Sequence, residues 1–311
     1  MMYNIAITGI SGFVGENLAN FLKKEKYQIS GVSRKSGTSK QMDYNDVDAT
    51  FLNTQNALIH LAGKAHDLKK TTEEKDYFEA NTELTKKVFK QFLESNCEVF
   101  VYMSSVKAVA DTVKDILTEE TQPIPKTAYG KSKLAAEQYL LSQEPSKGKR
   151  VYILRPCMIH GPGNKGNLNL LYNFVKKNIP YPFGSFENKR SFVSIDNLCF
   201  IIKELIENKN IPSGVYNISD DQALSTNELV ETMGEVLQKP ARILKIPKLL
   251  VRGVSKIGDL LPLPVNSERL QKLTENYVVS NRKIIEAIGK ELPFTAREGL
   301  RKTIGSFGKN I

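Results

Sequence analysis

The segment Ile5-Ala6-Ile7-Thr8-Gly9-Ile10-Ser11-Gly12-Phe13-Val14-Gly15 decides how the rest of the chain is read. A short apolar, β-branched run stops at a glycine, and glycines then recur at every third position as a helix-length amphipathic stretch begins. Gly9 permits a tight strand-to-helix turn, Gly12 lets backbone approach a pyrophosphate, and Gly15 lets the helix pack on its strand. The N–H groups and dipole at the helix start, around Ser11, Phe13 and Val14, are then placed to hold the anion. A plain tight turn would use the same glycines. The position on the first strand of an alternating pattern is what favours a nucleotide.

Working outward, β-branched runs at Asn4–Thr8, 28–33, 57–61, 99–104 and 151–155 alternate with helical stretches at 15–24, 77–94 and 129–144. That alternation predicts an α/β fold, a Rossmann-like doubly wound parallel sheet with right-handed crossovers. After His160 the loop Gly161-Pro162-Gly163-Asn164-Lys165-Gly166 marks a change of texture. The expected division is a dinucleotide-binding domain of residues 1–165 plus about 191–218. A smaller, mostly helical substrate domain takes about 166–190 and 219–311.

Composition bounds the function. The chain has 311 residues, 41% hydrophobic and 25% charged, with a mean hydropathy of −0.32; this is an ordinary globular protein, not a disordered one. No apolar run approaches the ~18 residues of a membrane span, and the first strand starts almost at Met1, so a cytoplasmic protein is expected. Cys97, Cys157 and Cys199 lack CxxC spacing and His60, His66 and His160 lack ligand spacing, which predicts reduced packing cysteines and no metal. The net charge of +10 favours anionic partners. It is spread without an aromatic-interleaved basic run, so nucleic acid is not an expected partner.

Two further features carry chemistry. The second strand ends at Ser33-Arg34, where an NAD enzyme usually holds an acid for the ribose 2′-hydroxyl. A hydroxyl and a guanidinium suit a 2′-phosphate, so NADP is favoured over NAD. Tyr129 and Lys133 stand at i and i+4 on one helical face, where a neighbouring ammonium would favour the phenolate. Tyr172 and Lys176 repeat the spacing without a serine-ending strand upstream and are expected on a surface helix. Residues 247–261 form an amphipathic stretch with apolar Leu250, Val254, Ile257 and Leu261 and a cationic stripe of Lys248, Arg252 and Lys256. Its expected role is to cover the second domain's core; contact with a membrane is not expected.

The ordered set Gly9/Gly12/Gly15, Leu61-Ala62-Gly63, Ser105, Tyr129/Lys133 and Arg155-Pro156 resembles an extended short-chain dehydrogenase/reductase of the NAD-dependent epimerase/dehydratase family. The stretches Ser104-Ser105-Val106-Lys107, Gly161 to Asn167, and Pro182-Phe183-Gly184 through Val193 are similar to those of UDP-sugar 4-epimerases. They are still more similar to those of UDP-N-acetyl-6-deoxyhexosamine 4-ketoreductases. The resemblance implies that Ser105, Tyr129 and Lys133 are catalytic. It puts Asp43 and Tyr44 at the adenine, Leu61, Ala62 and Gly63 along the nicotinamide side, Pro156 at the cofactor, and Lys107, Asn167, Leu168, Phe183, Arg190 and Tyr277 at a UDP-sugar. It also implies a homodimer paired through helices 77–94 and 129–144.

Val106 and Lys107 stand where family dehydratases carry an Asp-Glu pair, which sets dehydration aside, and Met158 stands where many epimerases carry Asn. The implied activity is hydride transfer at sugar C4 of a UDP-sugar, as a 4-ketoreductase in surface-polysaccharide precursor synthesis. A 4-epimerase with tightly held NAD is the alternative, and a catalytically idle NADP-binding regulator the remote one.

Overall fold

A computed structural model describes residues 3–33, 41–65, 73–164, 166–260 and 266–308. Its strands are β1 (Asn4–Thr8), β2 (Gln28–Val32), β3 (Gln41–Met42), β4 (Ala57–His60), β5 (Val99–Met103), β6 (Ile116–Leu117), β7 (Arg150–Pro156), β8 (Met158–His160), β9 (Phe192–Ser194), β10 (Gly214–Ile218) and β11 (Val278–Val279). Seven make one sheet in the order β10-β7-β5-β4-β1-β2-β3, with every pairing parallel. The chain runs outward from β1 to β3, then crosses back to β4 and runs the other way. The switch point therefore lies between β1 and β4, where sheets of this kind bind ligands.

The central strands are mostly apolar, with Thr8, His60 and Arg155 as buried polar exceptions, because helices cover both faces. Alternate residues divide between two cores: Ile5, Ile59 and Val101 on one side, Ala6, Leu58 and Phe100 on the other. Each fully buried large aliphatic chain contributes about 1.5–3 kcal/mol, and the period-2 split holds the register. A one-residue slip of β4 would exchange the two cores.

Helix Phe13–Lys24 follows the glycine turn, and helix Ala128–Leu141 is capped by the Thr127 hydroxyl, which accepts from the Gly130 N–H at 3.2 Å. The stretch expected as one helix over 77–94 is three pieces: an α-turn at Glu74–Phe78, a π-helix at Glu79–Glu83 and an α-helix at Leu84–Glu94. The wider turn changes which side chains face inward, and Asn81, Thr82 and Thr85 are buried.

A second core gathers Leu168, Tyr172, Phe183, Met233, Leu300 and Ile304. The boundary expected at residue 219 differs from this packing. β11 pairs with β6, and Tyr277, Val279, Ile284 and Ile288 join the sheet's core, so this part of the C-terminal segment returns to the first unit. Tyr172, expected on a surface helix, is 6% exposed with its ring 5.2 Å from that of Phe307. Helix Lys248–Leu260 packs through Val251 and Ser255, while Leu250 and Val254 of the expected inward stripe are 62% and 53% exposed. Amphipathic spacing located the helix but not the side that packs. The cysteines are free and buried. Among the described residues no helix is long and apolar enough to cross a membrane.

Candidate active site

At the switch point the glycine loop turns back against β4. Gly9 has φ +70°, and a Cβ there would stand 2.8 Å from the Ala62 nitrogen; one on Gly15 would stand 2.4 Å from the Gly9 carbonyl oxygen. Neither position admits a side chain. Gly12 is different: its Cβ would approach only the Gly9 oxygen, at 3.3 Å, so its other side is open. It caps the helix without any side-chain bond, leaving N–H groups of the first turn, at Phe13 and Val14, for an anion. Ser11 is exposed beside it. A tight, side-chain-free cradle at an uncapped helix start fits a dinucleotide pyrophosphate.

The residues expected on the cofactor side lie at or just beyond strand ends of the same sheet. The Ser33 N–H donates to Met42 O at 2.9 Å, and the residue is 3% exposed. Arg34 lies outside the described residues. The Asp43 carboxylate accepts from the Asn45 N–H at 2.9 Å, capping the turn that carries Tyr44. The Leu61 N–H donates to Thr8 O, and Pro156 closes β7 beside Ile218.

Behind Ala62 lies a polar chain that sequence reasoning missed. The Ala62 N–H donates to Thr8 Oγ1 at 3.2 Å; Thr8 Oγ1 meets His60 Nδ1 at 2.8 Å; His60 Nε2 meets Thr85 Oγ1 at 3.0 Å; Thr85 Oγ1 donates to Asn81 O at 2.7 Å. Thr85's single proton goes to Asn81, so His60 must carry its proton on Nε2 and accept from Thr8 at Nδ1. Burial, and then the Lys133 charge, drop the imidazole to about 3, so it is neutral. Asn81 also accepts from the Lys64 N–H at 2.8 Å and donates to Ser132 Oγ at 3.0 Å. A Cβ on Gly63 would stand 2.6 Å from Asn81 Oδ1 and 3.2 Å from Lys133 Nζ, which ties the loop after β4 to helix Ala128–Leu141.

The remaining groups converge at the end of β5. Ser105 caps a short 3-10 turn by accepting from the Lys107 N–H at 3.2 Å, and its hydroxyl bonds the Tyr129 phenol. Burial raises the Tyr129 pKa more than that bond lowers it. The Lys133 ammonium donates to Met103 O at 2.8 Å and lies 4.9 Å from the centre of the Tyr102 ring. Burial lowers Lys133 to about 8, against the opposing attraction of Glu137. Glu137 is a second missed residue. Buried in helix Ala128–Leu141, it accepts from the Ser104 hydroxyl and pairs with Arg155 at 2.5 Å. Lys133-Glu137 at i and i+4 is the signal that would have found it.

The substrate-side set is partly gathered here. Tyr277 donates its hydroxyl to Ala110 O at 2.7 Å, on the loop that follows Ser105, and Lys107 Nζ lies 4.3 Å from its ring centre. Arg190 bridges Leu224 and Tyr277 through its backbone, with its guanidinium 3.8 Å from Glu275. Leu168 and Phe183 belong to the second core, with the Phe183 ring edge-on to Tyr181 at 5.4 Å. Asn167 begins helix Asn167–Lys176; its side chain is outside what the structure describes.

The sheet edge therefore presents a dinucleotide cradle and, one strand across, a serine-bonded phenol beside a buried ammonium. That arrangement can move a hydride and a proton to or from one carbon–oxygen bond. A family model described as the NAD dependent epimerase/dehydratase family matches residues 5–219. The chain belongs to that family. It is 31% identical to UDP-glucose 4-epimerase of Vibrio cholerae over 99% of this chain and 96% of that one. It is 26% identical to N-acetyl-alpha-D-glucosaminyl-diphospho-ditrans,octacis-undecaprenol 4-epimerase of Escherichia coli O157:H7, over 97% and 94%. In structure it resembles MoeE5 in complex with UDP-glucuronic acid and NAD, with a TM-score of 0.76, 19% identity, and 99% of this chain and 100% of that one covered. This family member is an enzyme with a nicotinamide dinucleotide cofactor, of the nucleotide-sugar epimerase and reductase group.

Proposed function

We propose that the protein transfers hydride at C4 of a UDP-sugar and acts as a 4-ketoreductase in surface-polysaccharide precursor synthesis. The dinucleotide, when bound, supplies the hydride. Gly9, Gly12, Gly15 and the N–H groups of Phe13 and Val14 hold its pyrophosphate, with Asp43 and Tyr44 at the adenine, Leu61, Ala62 and Gly63 beside the nicotinamide, and Pro156 also at the dinucleotide. Tyr129 delivers a proton to the C4 oxygen, Ser105 orients that oxygen, and Lys133 holds the ribose and balances the charge left on the phenol. A reduction starts from a protonated phenol, which is the form that burial of Tyr129 favours. Arg190 and Lys107 meet the diphosphate, and the remaining substrate side is Asn167, Leu168, Phe183 and Tyr277.

The observation that carries the choice of reduction is the end of β2. Buried Ser33 stands there, and no acid follows it before Asp43, so the carboxylate that usually excludes a 2′-phosphate at this strand end is missing. NADPH should bind more tightly than NADH by about 1.5–3 kcal/mol through charge-assisted bonds from Ser33 and Arg34. Ser33→Asp should reverse the order. Titration of both nucleotides against both proteins checks this, together with consumption of NADPH on a UDP-4-keto-6-deoxyhexosamine. The second reading, a 4-epimerase that keeps its NAD, is favoured by the full-length similarity to the Vibrio cholerae enzyme. Copurified NAD, with interconversion of UDP-glucose and UDP-galactose in the absence of added cofactor, would decide for it and against the reductase.

A further inference from the structure

The segment 239–258 is chemically one-sided. It carries Lys239, Arg242, Lys245, Lys248, Arg252 and Lys256, with no acidic and no aromatic residue. It also holds four of the large hydrophobic side chains that stand exposed: Leu244 at 47%, Leu249 at 82%, Leu250 at 62% and Val254 at 53%. The segment is anchored from beneath. Tyr181 N–H donates to Arg242 O at 2.7 Å and Gly184 N–H to Leu244 O at 3.0 Å, and helix Lys248–Leu260 is seated by Val251 and Ser255, 6% and 2% exposed. At about 100° per residue, Gly253 points away from that seat, and a Cβ placed on it would meet nothing within 4 Å. Leu249, Leu250 and Val254 fan across this outward side. Lys248, Arg252 and Lys256 run along one flank, where they also line a cleft of about 440 Å³ together with Phe186, Glu187, Ser267 and Gln271.

We propose that this ribbon and helix form a docking surface for an anionic lipid bilayer, with the leucines and Val254 in the acyl boundary and the cations at the headgroups. Charge complementarity selects the occupant. A second copy packed through the same face would set six cations against six, with exposed Glu187 in the adjoining cleft too few in charge to balance them. Single-stranded nucleic acid binds by stacking on aromatic rings, and the face has none. An outward apolar side beside a cationic flank, on a helix too short to span, is the geometry of a segment lying in the membrane interface. The surface shares no residue with the glycine cradle or with Ser105, Tyr129 and Lys133, and it meets the proposed substrate side only where Lys245 bridges Phe183 through its backbone, so the proposal stands whichever sugar reaction the protein performs.

Flotation with phosphatidylcholine vesicles, alone or with about 30% phosphatidylglycerol, tests it. The protein should float with the anionic vesicles only and be released by salt. Lys248→Gln/Arg252→Gln/Lys256→Gln should weaken binding on the order of a hundredfold, and Leu249→Ser/Leu250→Ser/Val254→Ser by at least about tenfold. Both change only exposed side chains, and an unchanged melting temperature marks a folded variant. The chain has no tryptophan, so Leu249→Trp gives an independent readout: its emission should shift to the blue with anionic vesicles. Equal flotation on neutral vesicles, an apolar variant that binds as the wild type, or an unshifted emission from the Leu249→Trp protein would overturn the proposal. So would conversion of a dimer to a monomer by the serine variant, which would assign the face to a second copy.

Discussion

Arg155 and Glu137 form a buried pair whose removal can be worked out from geometry. The two side chains are 6% and 1% exposed, with N–O distances of 2.5 to 3.1 Å across three contacts. Neither charge has water to fall back on. Taking away one partner strands the other, at about 3–5 kcal/mol. Replacing both with side chains of similar length removes the stranded charge, and such double replacements are often neutral or stabilising. Ser104 then loses its acceptor, at about 1–3 kcal/mol. Glu137→Met and Arg155→Met should therefore each destabilise by about 3–5 kcal/mol in urea unfolding, and the double variant by no more than about 3 kcal/mol. The coupling, at least about 3 kcal/mol, is far above the noise of a double-mutant cycle. Glu137 also supports the Lys133 ammonium, so the Glu137→Met protein should show Lys133 titrating below about 8, with the basic limb of its pH–rate profile displaced to lower pH. Two additive single losses would refute the account of a stranded charge, and an unmoved basic limb would refute the link to Lys133.

Tyr129→Phe should lower turnover by about 10²–10⁴ with cofactor affinity little changed, whereas Tyr172→Phe, in the second core, should leave turnover within about twofold; steady-state rates and nucleotide titration check both. The His60 imidazole titrates near 3 in the folded chain against 6.5 as a free side chain. Between those values the unfolded state binds the extra proton, so this contribution to stability is complete above about pH 6.5 and is lost as pH falls, by up to about 1.4 kcal/mol per unit. His60→Gln should flatten that part of the stability–pH curve, as measured by urea midpoints. Tyr277→Phe removes the hydroxyl that donates to Ala110 O and should cost about 1 kcal/mol of stability while loosening the loop after Ser105, read as a fall in kcat larger than any change in cofactor affinity.

How much of this was legible in the chain depended on periodicity. The glycine turn, the strands and the Tyr129–Lys133 face were readable because each repeats at the period of its element. His60 and Arg155 were not, since each is a single polar residue in an apolar run, which marks a strand but does not say what bonds the side chain. Their partners, Thr85 and Glu137, lie 25 and 18 residues away. The π-helix at Glu79–Glu83 has no apolar period of its own to announce it, yet it fixes Asn81. Spacing also placed Lys133 one turn from Tyr129 but not the carbonyl of Met103, which takes its ammonium. The same limit applied to helix Lys248–Leu260, where both sides carry aliphatic residues and only the packing of Val251 and Ser255 selects the inner one.

Four polar bonds around the site share one direction. Ala62 is held by Thr8, Gly9 by Val32, Met103 by Lys133, and the loop after Ser105 by Tyr277. Each fixes, from behind, backbone at the edge where the dinucleotide and the reacting carbon would meet. Most of these braces come from the sheet or from helix Ala128–Leu141, within the span matched by the family model. Tyr277 comes from outside that span, and Arg190, near its far end, is tied to Tyr277 through backbone. The edge that carries Ser105 and Tyr129 is thus assembled almost entirely by the first unit, whereas most of the proposed sugar contacts are carried by segments that pack in the second core or bridge to it. A fold divided in this way leaves the second core free to change without disturbing the bonds from Thr8, Val32 and Lys133 that hold this edge.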